Sequence, residues 1–293
     1  MNCIYCHAEA PLYFQSKDYN RHISNEIFDH YRCPKCELIF IAPIPKNLAD
    51  YYPEAYHFVP ESSAYLETGS KPERYKIEIV QRFSDKGRLL EIGPSYGSFT
   101  YLAKKAGFEV DAIEMNARCC QFLNETVGVN AINSNDTVQV LKQAEPYDVV
   151  ALWHVIEHLA DPWAVLDAIC ANLKAGGVLV LAAPNPNAFQ FHLMGHYWPH
   201  VDAPRHVTLI PATLLLEKME ALGMKTELMT TTDRGSLGWN KFGWEYFFAN
   251  LSSQRYLKKV LIRIGRLASL LFSPIERAEG KGSAYTVVFR KDG

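Results

Sequence analysis

The stretch 88–97, RLLEIGPSYG, restricts this chain more than any other. Its first half, 89–92, is a short apolar run suited to a buried strand. Gly93 and Gly97 then bracket a tight turn, and 98–106 reads as a helix. A strand running through glycines into a helix start is how open α/β sheets cradle nucleotide-like ligands. Glycine lets the backbone approach, and the free N–H groups of the helix point at the ligand. Glu114 closes the next strand-like run, 109–114, and lies 21 residues after Gly93. A carboxylate at that distance can accept both hydroxyls of a ribose. Two other readings fit less well. A dinucleotide site wants G-x-G-x-x-G, and no third matching glycine follows. G-P-S-Y-G also spells the G-x-S-x-G elbow with Ser95 as nucleophile, but the chain before Arg88 supplies neither the oxyanion loop nor the earlier strands that elbow needs.

Glu91, two residues before the first glycine, completes L-E-I-G-x-x-x-G. This resembles motif I of the class I S-adenosylmethionine (SAM)-dependent methyltransferases, with Ser95 standing where that family usually has its middle glycine. The resemblance implies SAM as cofactor, held by Glu91, Gly93, Pro94, Ser95, Tyr96 and Gly97. It also implies Glu114 on the ribose, Met115 with the Asn135-Asp136 turn around the adenine, and Trp153 and His154 closing the cofactor site.

From Arg88 onward strand and helix patterns alternate, which predicts an α/β fold. Helices are expected over 116–127, 136–143, 162–173 and 214–222, and strands over 129–132, 147–152, 178–182, 224–229 and 284–290. A helix over 72–83 leads into them. Seven strands match a Rossmann-like methyltransferase sheet with helices on both faces; the antiparallel last strand is implied by the resemblance.

Before that sheet, Cys3-Ile-Tyr-Cys6 and Cys33-Pro-Lys-Cys36 form two C-x-x-C knuckles with 26 residues between them. Each presents two thiolates from one turn, and together they complete a tetrahedral four-sulfur site. Zinc is the expected ion and iron its main rival. Four protein ligands close the site, so its role is structural. The longer loop costs little, because closure entropy grows slowly with length. The expected organisation is a zinc ribbon over 1–45, an aromatic linker and leading helix over 46–83, and a SAM-binding domain over 84–293. The ribbon with its Pro-x-Pro exit and tyrosine-rich linker resembles methyltransferases that carry N-terminal zinc modules.

A formal charge of −2 gives no footprint for bulk nucleic acid. No signal sequence and no long apolar span are evident, so the expected compartment is the cytoplasm.

At the sheet's carboxyl edge, strand four delivers Trp153-His-Val-Ile-Glu-His158. On a helix His154, Glu157 and His158 would share a face. H-x-x-E-H is also an inverted zinc-protease signature, but here it follows a sheet strand rather than lying mid-helix. Quinone-type O-methyltransferases and small-RNA 2′-O-methyltransferases carry a similar Glu-x-x-Glu-His, which in them holds a divalent metal. With His154 in place of the first glutamate, a second, softer metal near His154, Glu157, His158 and His206 fits better than magnesium, as does His154 acting as base without metal.

A second cluster, 196–206, ends in Arg205-His206 and resembles the Trp-x3-Asp-x-Pro-Arg-His run of zinc-ribbon methyltransferases. The functional reading makes His206 a base or ligand and Arg205 a contact to an anionic acceptor. The bland reading pairs Arg205 with Asp202 and lets His206 cap the next helix. The insertion 233–282 departs from a minimal methyltransferase. Aromatic residues crowd 239–248, and 255–272 reads as a cationic amphipathic helix. Contact of 239–272 with a membrane surface or lipid-linked acceptor is one expectation, and a lid or dimer helix is the other.

The expected function is O-methylation of a small, saccharide or lipid-linked acceptor. Alternatives are C-methylation of a nucleotide-linked sugar, RNA methylation, and a non-catalytic binding module that retains the fold.

Overall fold

The computed structural model describes residues 1–53 and 58–293; Tyr56 of the expected linker lies outside them. The N-terminal module holds β1 (Leu12–Ser16), β2 (Phe28–Arg32) and β3 (Ile39–Ile41), paired antiparallel in that order. Helices α1 (Ala64–Gly69) and α2 (Arg74–Gln81) lead into the main domain. The predicted helix over 72–83 starts later than expected, because Lys71–Glu73 form one 3-10 turn with Pro72 at its start.

There follow β4 (Arg88–Ile92), α3 (Ser98–Lys105), β5 (Glu109–Glu114), α4 (Ala117–Phe122), β6 (Asn130–Asn133), α5 (Thr137–Gln143), β7 (Val149–Trp153), α6 (Pro162–Asn172) and β8 (Val178–Pro184). Asn116, Asp136 and Asp161 accept backbone N–H groups at the starts of α4, α5 and α6, so each helix begins where a capping side chain sits. α4 does not run unbroken to residue 127: Leu123–Val127 widen into a π turn. There the Asn124 amide exchanges hydrogen bonds with the Ala131 backbone and draws the turn toward β6.

The chain continues through α7 (Phe189–Met194), β9 (Thr208–Leu209), α8 (Ala212–Ala221), β10 (Met224–Thr230), α9 (Arg234–Ala249), α10 (Arg255–Glu276) and β11 (Ala284–Lys291). The main sheet has the order β10-β11-β8-β7-β4-β5-β6, with β11 antiparallel to both of its neighbours. β7 and β8 have no exposed residue, as central parallel strands covered on both faces require. Leu90, Ile92, Val150 and Leu152 face one apolar core, and Leu89, Val149 and Ala151 face the other. Strand order reverses between β4 and β7, and the crevice beyond their carboxyl ends is where ligands bind in such sheets.

The N-terminal module is not a separate body. β9, from the main domain, extends its sheet by pairing with β3. Phe28, Ile39 and Ile41 share a core with Phe191, Trp198 and Trp244. Residue 45 therefore divides the sequence without dividing the packing.

Candidate functional site

At the carboxyl ends of β4 and β7 lies a cavity of about 740 Å³. Glu91, Gly93, Pro94, Ser95, Tyr96, Trp153 and His154 line it, joined by Tyr75, Lys76, Arg234 and Trp239. Gly93 has φ 69°, and a Cβ there would stand 2.7 Å from Val155, so turn and cavity wall both depend on a bare α-carbon. Ser95 holds φ 54° without being glycine, and its N–H donates to Glu114 Oε2 at 2.8 Å. That bond fixes a conformation the family's middle glycine would reach without strain.

Glu91 is buried and accepts a hydrogen bond from the Thr100 hydroxyl; burial pushes its pKa up to about 7. Glu114 is also buried and also raised by burial, although the N–H groups of Asn116, at 2.7 Å, and Ser95 pull the other way. Gly97, Glu114, Met115, Asn135 and Asp136 do not line this cavity. Met115, Asn135 and Asp136 are surface residues, and Asp136 is engaged in capping α5.

A second cavity of about 260 Å³ adjoins the first, and His154, Trp239 and Phe242 border both. His154 follows β7 at φ 58°, its N–H donating to Ala182 O at 2.9 Å. The expected helix at 154–158 therefore does not form; Ile156–His158 make a single 3-10 turn instead. The side chains still converge. His154 Nδ1 lies 3.5 Å from Glu157 Oε1, and His206 Nε2 lies 4.0 Å from the same oxygen. Glu157 is buried, and neither carboxylate oxygen has a hydrogen-bond partner among the described residues. Burial opposes its ionisation, and the imidazoles of His154, His158 and His206 around it favour the carboxylate only to the extent that they carry a proton.

His158 is kept neutral by burial, its pKa pushed down to about 4. Its Nδ1–H donates to Arg205 O at 3.0 Å, with the Tyr52 hydroxyl 2.9 Å away. His206 Nδ1–H donates to His200 O at 2.7 Å. A carbonyl can only accept, so both rings carry a proton on Nδ1, and the neutral His158 ring turns a bare Nε2 away from it. Glu157, His158 and His206 offer ligand atoms within 4.8 Å of one another, a set suited to a cation that takes nitrogen.

The structure corrects the functional reading of Arg205. Its side chain is fully buried and clamped, with Asp18 Oδ1 at 2.6 Å and Asp202 Oδ1 at 2.8 Å from Nη2. It cannot meet an acceptor. His206 caps no helix either, since α8 begins beyond Pro211. In the N-terminal module, Cys3 Sγ is 3.6 Å from Cys36 Sγ, and Cys6 Sγ is 3.4 Å from Cys33 Sγ. The four sulfurs form one cluster, a donor set that fits zinc.

Residues 68–228 match the family profile described as a methyltransferase domain. The chain belongs to this family, the class I SAM-dependent methyltransferases. It is 34% identical over 117 residues to a ubiquinone biosynthesis O-methyltransferase from Cereibacter sphaeroides, covering 38% of this chain and 47% of that protein. A protein of the same name from Pectobacterium carotovorum is 31% identical over 108 residues, covering 34% and 44%. The chain thus spans about half the length of the curated relatives it matches. The fold is similar to that of a SAM-dependent methyltransferase from Archaeoglobus fulgidus, with a TM-score of 0.50 at 19% identity over 78% of this chain and 98% of that one. It is also similar to one from Mesorhizobium loti, with a TM-score of 0.50 at 11% identity over 77% of this chain and all of that one (100%).

Sequence reasoning missed several residues that border these cavities. Asn20 and Arg21 line the histidine cavity from the N-terminal module, and Tyr52 braces His158 from the linker. No local signal marks them, because each reaches the site across more than a hundred residues of chain. Trp239 and Phe242 were legible only as members of an aromatic cluster.

Proposed function

We propose that this methyltransferase transfers the SAM methyl group to a hydroxyl of a small or lipid-linked acceptor, with His154 as general base. The observation that carries the reading is the position of His154, which borders both cavities and is backed by a buried carboxylate. Glu91 and residues 93–96 would hold the methionine part of the cofactor, with Glu114 behind them bracing the turn through the Ser95 N–H. SAM, when bound, supplies an electrophilic methyl group on a sulfonium. The acceptor hydroxyl lies in the smaller cavity. His154 would accept its proton at Nε2 as the oxygen takes the methyl group, the S–CH3 bond breaks and the sulfur leaves as a neutral thioether, and Glu157 would stabilise the imidazolium that results. Trp239 and Phe242 exclude water where the cavities meet. The test is mass spectrometry of cell extract incubated with the protein and labelled SAM. A labelled methyl ether product that vanishes with His154→Ala is expected; equal labelling by that variant would discard His154 as base.

A second reading is favoured by the missing partners of Glu157. A divalent cation on Glu157, His158 and His206 would satisfy the carboxylate and take both Nε2 atoms, each ring being oriented for it by the bond from Nδ1–H to a carbonyl. Dialysed protein titrated with Zn2+ or Mn2+ should then bind one ion beyond that of the cysteine cluster and lose it in Glu157→Gln. Binding of no second ion dismisses this reading.

The lipid-linked form of the acceptor rests on α10. Its expected apolar face is split. Gly265 lets the helix press against Trp244, while Leu267, Leu270 and Leu271 point outward, more than 65% exposed. Exposed Arg255, Lys259 and Arg263 lie on the same helix, a charge pattern complementary to an anionic lipid surface. No helix among the described residues is long and apolar enough to cross a membrane. Flotation with anionic but not zwitterionic vesicles, abolished by Leu267→Glu with Leu271→Glu, is the expected result.

A further inference from the structure

The buried Arg205 links two parts of the molecule. Its guanidinium meets Asp18 of the N-terminal module, and both side chains are fully buried. Its main-chain oxygen is the acceptor that holds His158 Nδ1–H. Asp18 also accepts the N–H groups of Arg21 and Ile23, which folds the loop after β1 over the histidine cavity. The amide of Asn20, in that loop, donates to Pro199 O at 2.7 Å and to Asp202 Oδ1 at 2.6 Å. Asp202, held at φ 34°, in turn accepts the N–H of His206 at its main-chain oxygen. Both histidines thus take their positions from a loop anchored on the cysteine-bearing module. β3 pairs with β9 just beyond His206 and secures the same loop from its other end.

We propose that the N-terminal module is a working part of the acceptor site and that Asp18 is a positioning residue, fixing His158 and His206 through Arg205 and Asp202. The module forms one wall of the histidine cavity with Asn20 and Arg21, so the metal cluster and the site for the acceptor are coupled. The chemistry follows from the hydrogen bonds. Asp18 holds the guanidinium, the guanidinium fixes the turn at 202–206, and the turn presents Arg205 O to one imidazole and the His206 ring to the cavity. Loss of Asp18 frees that turn, and His158 no longer has a single acceptor that selects its tautomer. The inference rests on reading the histidine cavity as the acceptor site.

The test uses the full chain labelled with 15N-histidine and long-range 1H–15N spectra, which read tautomers without any acceptor. Wild type is expected to show His158 and His206 as Nδ1–H forms. In Asp18→Ala the His158 signals should move toward a mixture of the two neutral tautomers. Asn20→Ala should do the same more weakly, with zinc content unchanged. SAM affinity, measured by calorimetry on the same samples, should stay within about twofold, as independent sites require. Removing zinc with a chelator should reproduce the mixture. Unchanged tautomers in both variants would overturn the proposal. If Asp18→Ala fails to fold, Asn20→Ala decides. Failure of wild type to bind SAM would instead count against the methyltransferase reading, with the tautomer result standing by itself.

Discussion

Asp18 and Glu157 are both carboxylates with about 1% of their surface exposed, and the molecule treats them in opposite ways. Asp18 is saturated, taking two guanidinium N–H groups and two main-chain N–H groups. Glu157 has no hydrogen bond on either oxygen among the described residues, only imidazole nitrogens at 3.5 and 4.0 Å. A satisfied buried charge holds structure together. An unsatisfied one costs stability and persists where something outside the chain completes it. The contrast separates two kinds of burial: the junction between module and loop is closed by its own hydrogen bonds, and the carboxylate in the histidine cavity is not.

The largest expected effect breaks the closed side. Arg205→Ala strands Asp18 and Asp202 as buried charges without their cation, and should lower stability by about 3–5 kcal/mol in urea or thermal unfolding. Loss of less than about 1 kcal/mol would show that the junction is not what holds the module down.

Next, Glu157→Gln removes a charge the fold does not need. Stability should stay within about 1 kcal/mol of wild type, while methyl transfer in the labelled-SAM assay falls by about a hundredfold or more. A variant with full activity would erase the distinction between the two carboxylates.

A third measurement sharpens the closed side by pH. The Arg205 guanidinium and neighbouring groups outweigh burial and hold the Asp202 pKa down to about 2, from an ordinary 3.8. A depressed carboxylate contributes stability that is complete above its unfolded value and lost as pH falls through its folded one. The contribution, on the order of 2 kcal/mol, should therefore disappear between about pH 4 and pH 2. Denaturation curves of Asp202→Asn should be flatter than wild type across that window.

The smallest effect concerns the cofactor side. Burial raises the Glu91 pKa to about 7, and a cation bound beside it favours the ionised form. SAM binding near pH 6 should release up to about one proton, seen as a dependence of the calorimetric heat on buffer ionisation enthalpy and absent in Glu91→Gln.

The cofactor side was more legible than the acceptor side, for a physical reason. Gly93, Ser95 and Glu91 act within one strand-turn-helix unit, so their spacing carries the information. The strand pattern predicted seven strands, and the structure has seven in the main sheet. The H-x-x-E-H cluster was visible, but its geometry was not. The expected helical face is replaced by a left-handed residue and a single turn, because His154 is tied to Ala182 on the neighbouring strand. The functional reading of Arg205 failed for a related reason: its pairing with Asp202 was open to sequence reasoning, but its second partner Asp18, 187 residues away, was not.

What the sequence determined by itself was the set of local units: the glycine turn, the paired cysteine knuckles, the alternation of strand and helix, and the amphipathic character of α10. Each is encoded within a few turns of chain, where backbone sterics and side-chain periodicity decide the outcome. Only the tertiary structure decided that the cysteine module shares a sheet and a core with the main domain, that Arg205 is a buried clamp, and that Glu157 stands unpaired among imidazoles. Those facts depend on which surfaces meet and on the dielectric they create, and neither is a property of neighbouring residues in the chain.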